Sequence, residues 1–172
     1  MGLALPPGMD LVLVGETKGW LGQSLWLREV AGREDGAPPP VHLSEERRNG
    51  DFVRARILAG GVGASHDCSD GGLLVAVAEM AMASGTGATL LPPPAGLSEH
   101  AFWFGEDQAR YVLAVPDAAP LLDAARAAGV PVSRLGESGG GALVLPDRWS
   151  ISVSSLRDAH EATLPALMAA EG

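Results

Sequence analysis

Short apolar blocks separated by glycine, proline and acidic turns run the length of this chain, and their spacing predicts a succession of strands and helices. Leu11-Val12-Leu13-Val14 is a compact apolar run closed by Gly15, the pattern of a buried strand. The turn from Gly15 to Gly22 leads into a predicted helix over Gln23 to Val30, with Leu25, Trp26 and Val30 toward the core. Ala37 to Pro40 is a proline-rich connector that cannot be helical. After it Ser44 is expected to cap a helix, with Glu45 and Glu46 in the first turn, favourable to the dipole. Asn49-Gly50 is expected to interrupt that helix before Phe52 to Leu58, and Gly60-Gly61 to end it.

A short strand over Val62 to Ser65 then delivers Ala64-Ser65-His66-Asp67-Cys68-Ser69-Asp70-Gly71-Gly72, a polar turn running straight into the apolar segment Leu73 to Ala83. Ser69 and Asp70 are strong N-cap residue types, and two glycines permit a sharp turn and close approach. A helix start of this kind points unpaired N–H groups outward and suits a phosphate. Asp67 and Asp70 add carboxylates of the kind magnesium prefers, few protein oxygens completed by substrate phosphates. Only Glu79 is charged between Leu73 and Ala83, so the helix is expected to be buried between layers. His66 reads as a hydrogen-bonded structural group, and Cys68, with no identifiable base beside it, as a small buried thiol.

Beyond that helix, Ala88 to Leu91 is a strand stopped by Pro92-Pro93-Pro94, and Ser98 opens a short helix reaching Phe104. Arg110 to Val115 alternates as a strand with Tyr111, Leu113 and Val115 on one face, and an ion pair between Glu106 and Arg110 is expected at its entry. Asp117 caps Ala118 to Ala128, which Gly129 and Pro131 stop. Strands are predicted at Val132 to Leu135, Ala142 to Leu145 and Ser150 to Val153. A last helix from Leu156 to Ala170 is expected to be capped by Ser154 or Ser155 and kinked or divided at Pro165. Alternating strands and helices of these lengths give an α/β (α+β) fold, a mixed β-sheet covered by helices.

Composition narrows the picture. The 172 residues suffice for one domain with a real core, and with 47% hydrophobic but only 5% aromatic residues that core is built from Leu, Val and Ala. A net charge of −9 without a basic cluster argues against nucleic acid or an anionic membrane as partner. The single cysteine cannot form an internal disulfide and fits a reducing cytoplasm, and Met1 to Met9 lacks the pattern of a signal peptide.

His66-Asp67-Cys68-Ser69-Asp70-Gly71-Gly72-Leu73 with Ala78-Glu79-Met80-Ala81 closely resembles the C-terminal domain of the synthetase subunit of phosphoribosylformylglycinamidine synthases. Three further stretches fit the same pattern in the same order. They are Gly15-Glu16-Thr17 with Leu21-Gly22-Gln23-Ser24-Leu25, then Glu46-Arg47-Arg48-Asn49-Gly50, then Phe104-Gly105-Glu106 with Arg110. Gln23 departs from the Gly-Gly-Ser that many relatives carry.

The resemblance implies a mixed sheet covered by helices beside a separate nucleotide-binding domain, with residues 1–10 a linker remnant and 11–172 one domain of a longer enzyme. It implies an ATP-dependent ligase of purine biosynthesis that forms an amidine from formylglycinamide ribonucleotide and ammonia. Its partners would be the nucleotide-binding domains of the same full-length chain and the glutaminase and small bridging subunits. Carried over by position, Asp67 would be the Mg2+ ligand, Ser69 the phosphate contact of ATP, and Asp70, Gly71 and Gly72 the rest of the turn; no catalytic residue is implied. Aminoimidazole ribonucleotide synthetase, selenophosphate synthetase and thiamine monophosphate kinase share the architecture. A purely structural assembly domain, inactive alone, is the alternative of a different class.

Overall fold

Strand β1 (Asp10–Val14) is apolar at four consecutive positions because both of its faces are covered. Leu11 and Leu13 point into one core and Val12 and Val14 into another, and all four are buried. The computed structural model describes residues 2–170 of the chain. It places β1 near the middle of one seven-stranded sheet with β2 (Ala64–Asp67), β3 (Ala88–Leu90), β4 (Tyr111–Val115), β5 (Val132–Ser138), β6 (Ala142–Leu145) and β7 (Trp149–Ser152). The strand order is β2-β4-β1-β5-β3-β6-β7. Every neighbouring pair is antiparallel except β3 and β6, so the sheet is mixed, as the sequence predicts.

One face of the sheet carries α3 (Gly72–Ser84), α4 (Glu99–Phe104) and α6 (Val153–Glu161). Leu73, Ala76, Val77, Met80 and Ala81 of α3 pack with Phe102 and Trp103 of α4 over Val112, Ala114 and Leu11. The other face carries α2 (Leu43–Leu58) and α5 (Ala118–Ala128), whose Phe52, Val53, Leu121 and Ala125 cover Leu113 and Val115. Tyr111, Leu113 and Val115 share that face, as the alternation predicts. At about 25 cal/mol for each Å² of apolar surface buried, these two layers supply the main favourable term of folding.

Several elements differ from expectation for local reasons. Helix α2 runs unbroken through Asn49-Gly50, because Asn49 is buried and its side-chain amide donates to the Ala109 carbonyl at 2.9 Å. Its N-cap is His42, not Ser44, and the cap makes no side-chain bond. Extended pairing continues through Asp67, which lies opposite Tyr111, so β2 is displaced from the predicted 62–65. Helix α3 is buried on one side only: Leu74, Val75 and Ala78 stay half-exposed and line an open apolar groove of about 750 Å³ with Trp103, Phe104 and Trp149. The last helix divides at Ala162 into α6 and α7 (Thr163–Ala170). Pro165 thereby falls in the first turn of α7, where a missing N–H costs nothing. The cap of α6 is Ser152, whose hydroxyl accepts from the Ser155 amide at 3.0 Å.

The stretch read as a linker remnant is bound to the sheet. Leu5 is buried in the core, and Ser138 at the end of β5 donates to the Pro6 carbonyl and accepts from the Met9 amide. Asp10 ties the same segment to the rest of the molecule: its carboxylate accepts from the Ala118 amide at the start of α5 and pairs with Arg134 on β5. The Ala118 amide first, and then Arg134, hold the Asp10 carboxyl below the usual carboxylate range. A depressed folded pKa contributes stability that is complete above the unfolded value, about 4, and is lost as pH falls through the folded value. Asp10→Asn is therefore expected to cost about 1–2 kcal/mol at pH 7. In urea titrations the gap between variant and parent should narrow below about pH 4.

Candidate functional site

Strand β2 carries Asp67 to its end, and the chain turns through Cys68, Ser69 and Asp70 into α3. Ser69 and Asp70 are exposed, and the Asp67 side chain is 68% exposed. Gly71 and Gly72 are buried, with φ of +80° and +74°. At Gly72 a Cβ would lie 2.6 Å from the Gly105 carbonyl oxygen, so this position takes no side chain. Left-handed backbone at two successive residues swings Ser69 and Asp70 away from the capping position. The N-cap of α3 is Gly71, without a side-chain cap, where Ser69 or Asp70 was expected.

A carboxylate from elsewhere takes the cap's place. Glu106 Oε1 accepts from the Gly71 amide at 2.8 Å and from the Leu25 amide at 2.8 Å, at the start of α1 (Leu25–Glu29). One internal anion thus sits on two helix starts, favoured by both unpaired donors and dipole. The Gly72 amide donates to the Ser69 carbonyl at 3.0 Å. The two glycine amides expected to face a phosphate are satisfied internally, and what the turn offers outward is side-chain oxygen.

The loop carrying Glu106 is the meeting point of every stretch singled out in the sequence. The expected Glu106–Arg110 pair is absent, because Arg110 turns the other way: it is 1% exposed and its guanidinium donates to the carbonyls of Asp107 and Gly105 and to Thr17 Oγ1. Its charge is met by Asp107, Oδ2 of which lies 3.9 Å away. Asp107 in turn accepts from the amides of Gly19 and Trp20, and the Glu106 amide donates to the Trp20 carbonyl. Gln23, at φ +60°, donates its side-chain amide to the carbonyls of Glu34 and Gly36, so that turn is filled by the chain's own atoms. Arg47 is exposed and pairs with Asp51 at 3.7 Å, the solvated helix face expected.

Asp67, Ser69 and Asp70 come together along a cleft of about 330 Å³, with Glu46, Glu106 and Tyr111 on its other walls. Four carboxylates line it, and the one cationic side chain in its lining, Arg110, has its donors committed inward. Burial first, and then the charges of Glu46 and Asp67, push the Tyr111 phenol above its ordinary range. Burial pushes the Cys68 thiol up to about 11, and its side chain is buried beneath the turn. What remains is a set of hard oxygen donors, which fits magnesium. Among the described residues no three His, Cys, Asp or Glu side chains converge on one point. An ion here would rest on Asp67 and take the rest of its shell from phosphate and water, as magnesium does. Sequence reasoning missed Glu46 and Tyr111 as walls of the cleft; no local spacing marks them, since they reach it from α2 and β4.

The chain is thus an α/β domain, a mixed sheet with helices on both faces and an acidic turn cleft at the head of an apolar helix. Over residues 6–145 it matches the family described as AIR synthase related protein, C-terminal domain, and the chain belongs to that family. It is 61% identical over 161 residues to the phosphoribosylformylglycinamidine synthase subunit PurL of Acidiphilium cryptum, covering 94% of this chain and 22% of that protein. To the subunit of the same name from Granulibacter bethesdensis it is 59% identical over 168 residues, covering 98% of this chain and 23% of the relative. The chain thus spans about a fifth of the length of these curated relatives. Its fold is shared with T. maritima PurL complexed with FGAR, at a TM-score of 0.74 and 17% identity over 90% of this chain and 29% of that one.

Replacing Glu106 by Ala orphans two amides, each worth about 1–3 kcal/mol, and is expected to cost on the order of 2–4 kcal/mol in chemical denaturation; Glu106→Gln, whose carbonyl still accepts, should cost under half of that. With its thiol at about 11, Cys68 should resist Ellman's reagent in the native protein at pH 8 and react at once in denaturant.

Proposed function

We propose that this chain is the C-terminal-type domain of the synthetase subunit of phosphoribosylformylglycinamidine synthase, and that it works as one unit of that longer enzyme, with residues 5–10 packed into the domain rather than forming a linker outside it. The whole enzyme is an ATP-dependent carbon–nitrogen ligase of purine biosynthesis. It activates the amide oxygen of formylglycinamide ribonucleotide by phosphorylation and lets ammonia displace it. The observation that carries the proposal is the 61% identity to PurL over 161 residues.

Within that reading the domain supplies a phosphate-side turn. Asp67 holds Mg2+, Ser69 Oγ contacts a nucleotide phosphate, and Asp70 lines the same exposed edge. Gly71 and Gly72 shape the turn, since their amides are already bonded. Magnesium, when bound, offsets phosphate charge that the four wall carboxylates would otherwise repel. Arg110 and Glu106 touch no ligand in this scheme: they hold the loop against the turn and keep the cleft in shape.

ATP reaches the turn together with the nucleotide-binding domains of the same full-length chain, and the glutaminase and small bridging subunits complete the assembly. The cytoplasm is its compartment, in keeping with a free buried thiol and with the finding that no described helix is long and apolar enough to cross a membrane. Calorimetry of this chain with Mg-ADP is expected to give binding heat that Asp67→Ala abolishes and Ser69→Ala weakens. The chain alone should not consume ATP when given formylglycinamide ribonucleotide and ammonia. Unchanged heat in Asp67→Ala would contradict the assignment.

A further inference from the structure

His66 and Glu79 tie β2 to α3 through a hydrogen bond, the structural role expected of His66, and they also stand in line behind Asp67. Glu79 is the one charge on α3 between Leu73 and Ala83, and its Oε2 lies 2.8 Å from His66 Nε2. A carboxylate only accepts, so Nε2 carries the proton and the ring orientation is fixed from that side. The opposite ring nitrogen, Nδ1, is fully buried and makes no hydrogen bond. Its nearest charged group is Asp67 Oδ1 at 3.4 Å. An orphaned buried nitrogen costs free energy, and here it faces the carboxylate on which the proposed cation site depends.

We propose that His66, oriented by Glu79, is a positioning residue that sets the rotamer of Asp67 for a divalent cation. Asp67 stands at the exposed end of β2, its backbone fixed by pairing with Tyr111 and its side chain largely in solvent. The buried edge of the imidazole, 14% exposed, confines that side chain on the strand side, so less rotational freedom is lost when an ion arrives. Groups hydrogen-bonded to a metal ligand change affinity by about 10–100-fold when removed, and His66, which touches Asp67 without such a bond, is expected at the lower end of that range. Glu79, 43% exposed, sits at the end of the line and can be changed with little effect on the core.

This inference rests on Asp67 being the metal ligand, and the test separates the two. Mn2+ binding in the presence of ADP is followed by electron paramagnetic resonance on the 172-residue chain, with thermal melting in EDTA as the readout of fold. His66→Ala and Glu79→Ala are each expected to weaken Mn2+ binding about tenfold. Glu79→Gln, which still accepts from Nε2, should stay within about twofold, a rescue that loss of packing would not give. Should His66→Ala fail to fold, the two Glu79 variants decide alone. If Asp67→Ala weakens Mn2+ binding while the Glu79 and His66 variants bind as the parent does, the positioning role is overturned and the cation site stands. If Asp67→Ala binds Mn2+ as the parent does, or the parent does not bind it, both are overturned.

Discussion

A single carboxylate oxygen, Glu106 Oε1, holds the starts of two helices, and the arrangement of the site follows from it. The amides of Gly71 and Leu25 both donate to it at 2.8 Å. Without an anion there, α3 would begin on an uncapped left-handed glycine and the first amide of α1 would lose its acceptor. Because the anion is internal, the strongest phosphate-attracting feature of the turn is already occupied. The outward chemistry passes to Asp67, Ser69 and Asp70, whose oxygens suit a cation.

The Glu106 loop also explains why stretches far apart in the chain share one pattern. Thr17 accepts from Arg110, the Gly19 and Trp20 amides donate to Asp107, Asn49 donates to Ala109, and the Cys68 amide donates to the Arg110 carbonyl. A buried charge such as Arg110 is tolerable only when each of its nitrogens finds an acceptor and a carboxylate is near: Asp107 and Gly105 of this loop and Thr17 from the turn beside it supply the acceptors, and Asp107 the carboxylate. The loop is therefore held by hydrogen bonds on the side away from the cleft.

Much of this was legible in the sequence, and the limits have physical causes. The continuous apolar run of β1 announced a buried strand and the alternation of β4 a strand with one apolar face, though both faces of β4 proved covered, and the glycine and proline punctuation located most helices. Asn49-Gly50 misled because its helix-breaking tendency is local, whereas the bond from Asn49 to Ala109 is tertiary. The cap of α3 misled for the same reason: Ser69 and Asp70 are good caps by type, but a carboxylate from residue 106 reached the amide first. Glu46 and Tyr111 carry no sequence signal of a cleft at all, because only the fold brings α2 and β4 to the turn. Asp67, Ser69 and Asp70 could be grouped from the sequence because they fall within one short turn; the other residues lining the cleft could not.

An internal carboxylate occupies the helix starts, and under the function proposed above an external phosphate binds only with a divalent cation. Calorimetric titration of ADP into this chain, once in EDTA and once in saturating Mg2+, tests it directly. The geometry predicts binding heat in Mg2+ and none in EDTA. Equal heat in EDTA would mean that the amides at Gly71 and Gly72 donate to phosphate themselves, and would contradict it.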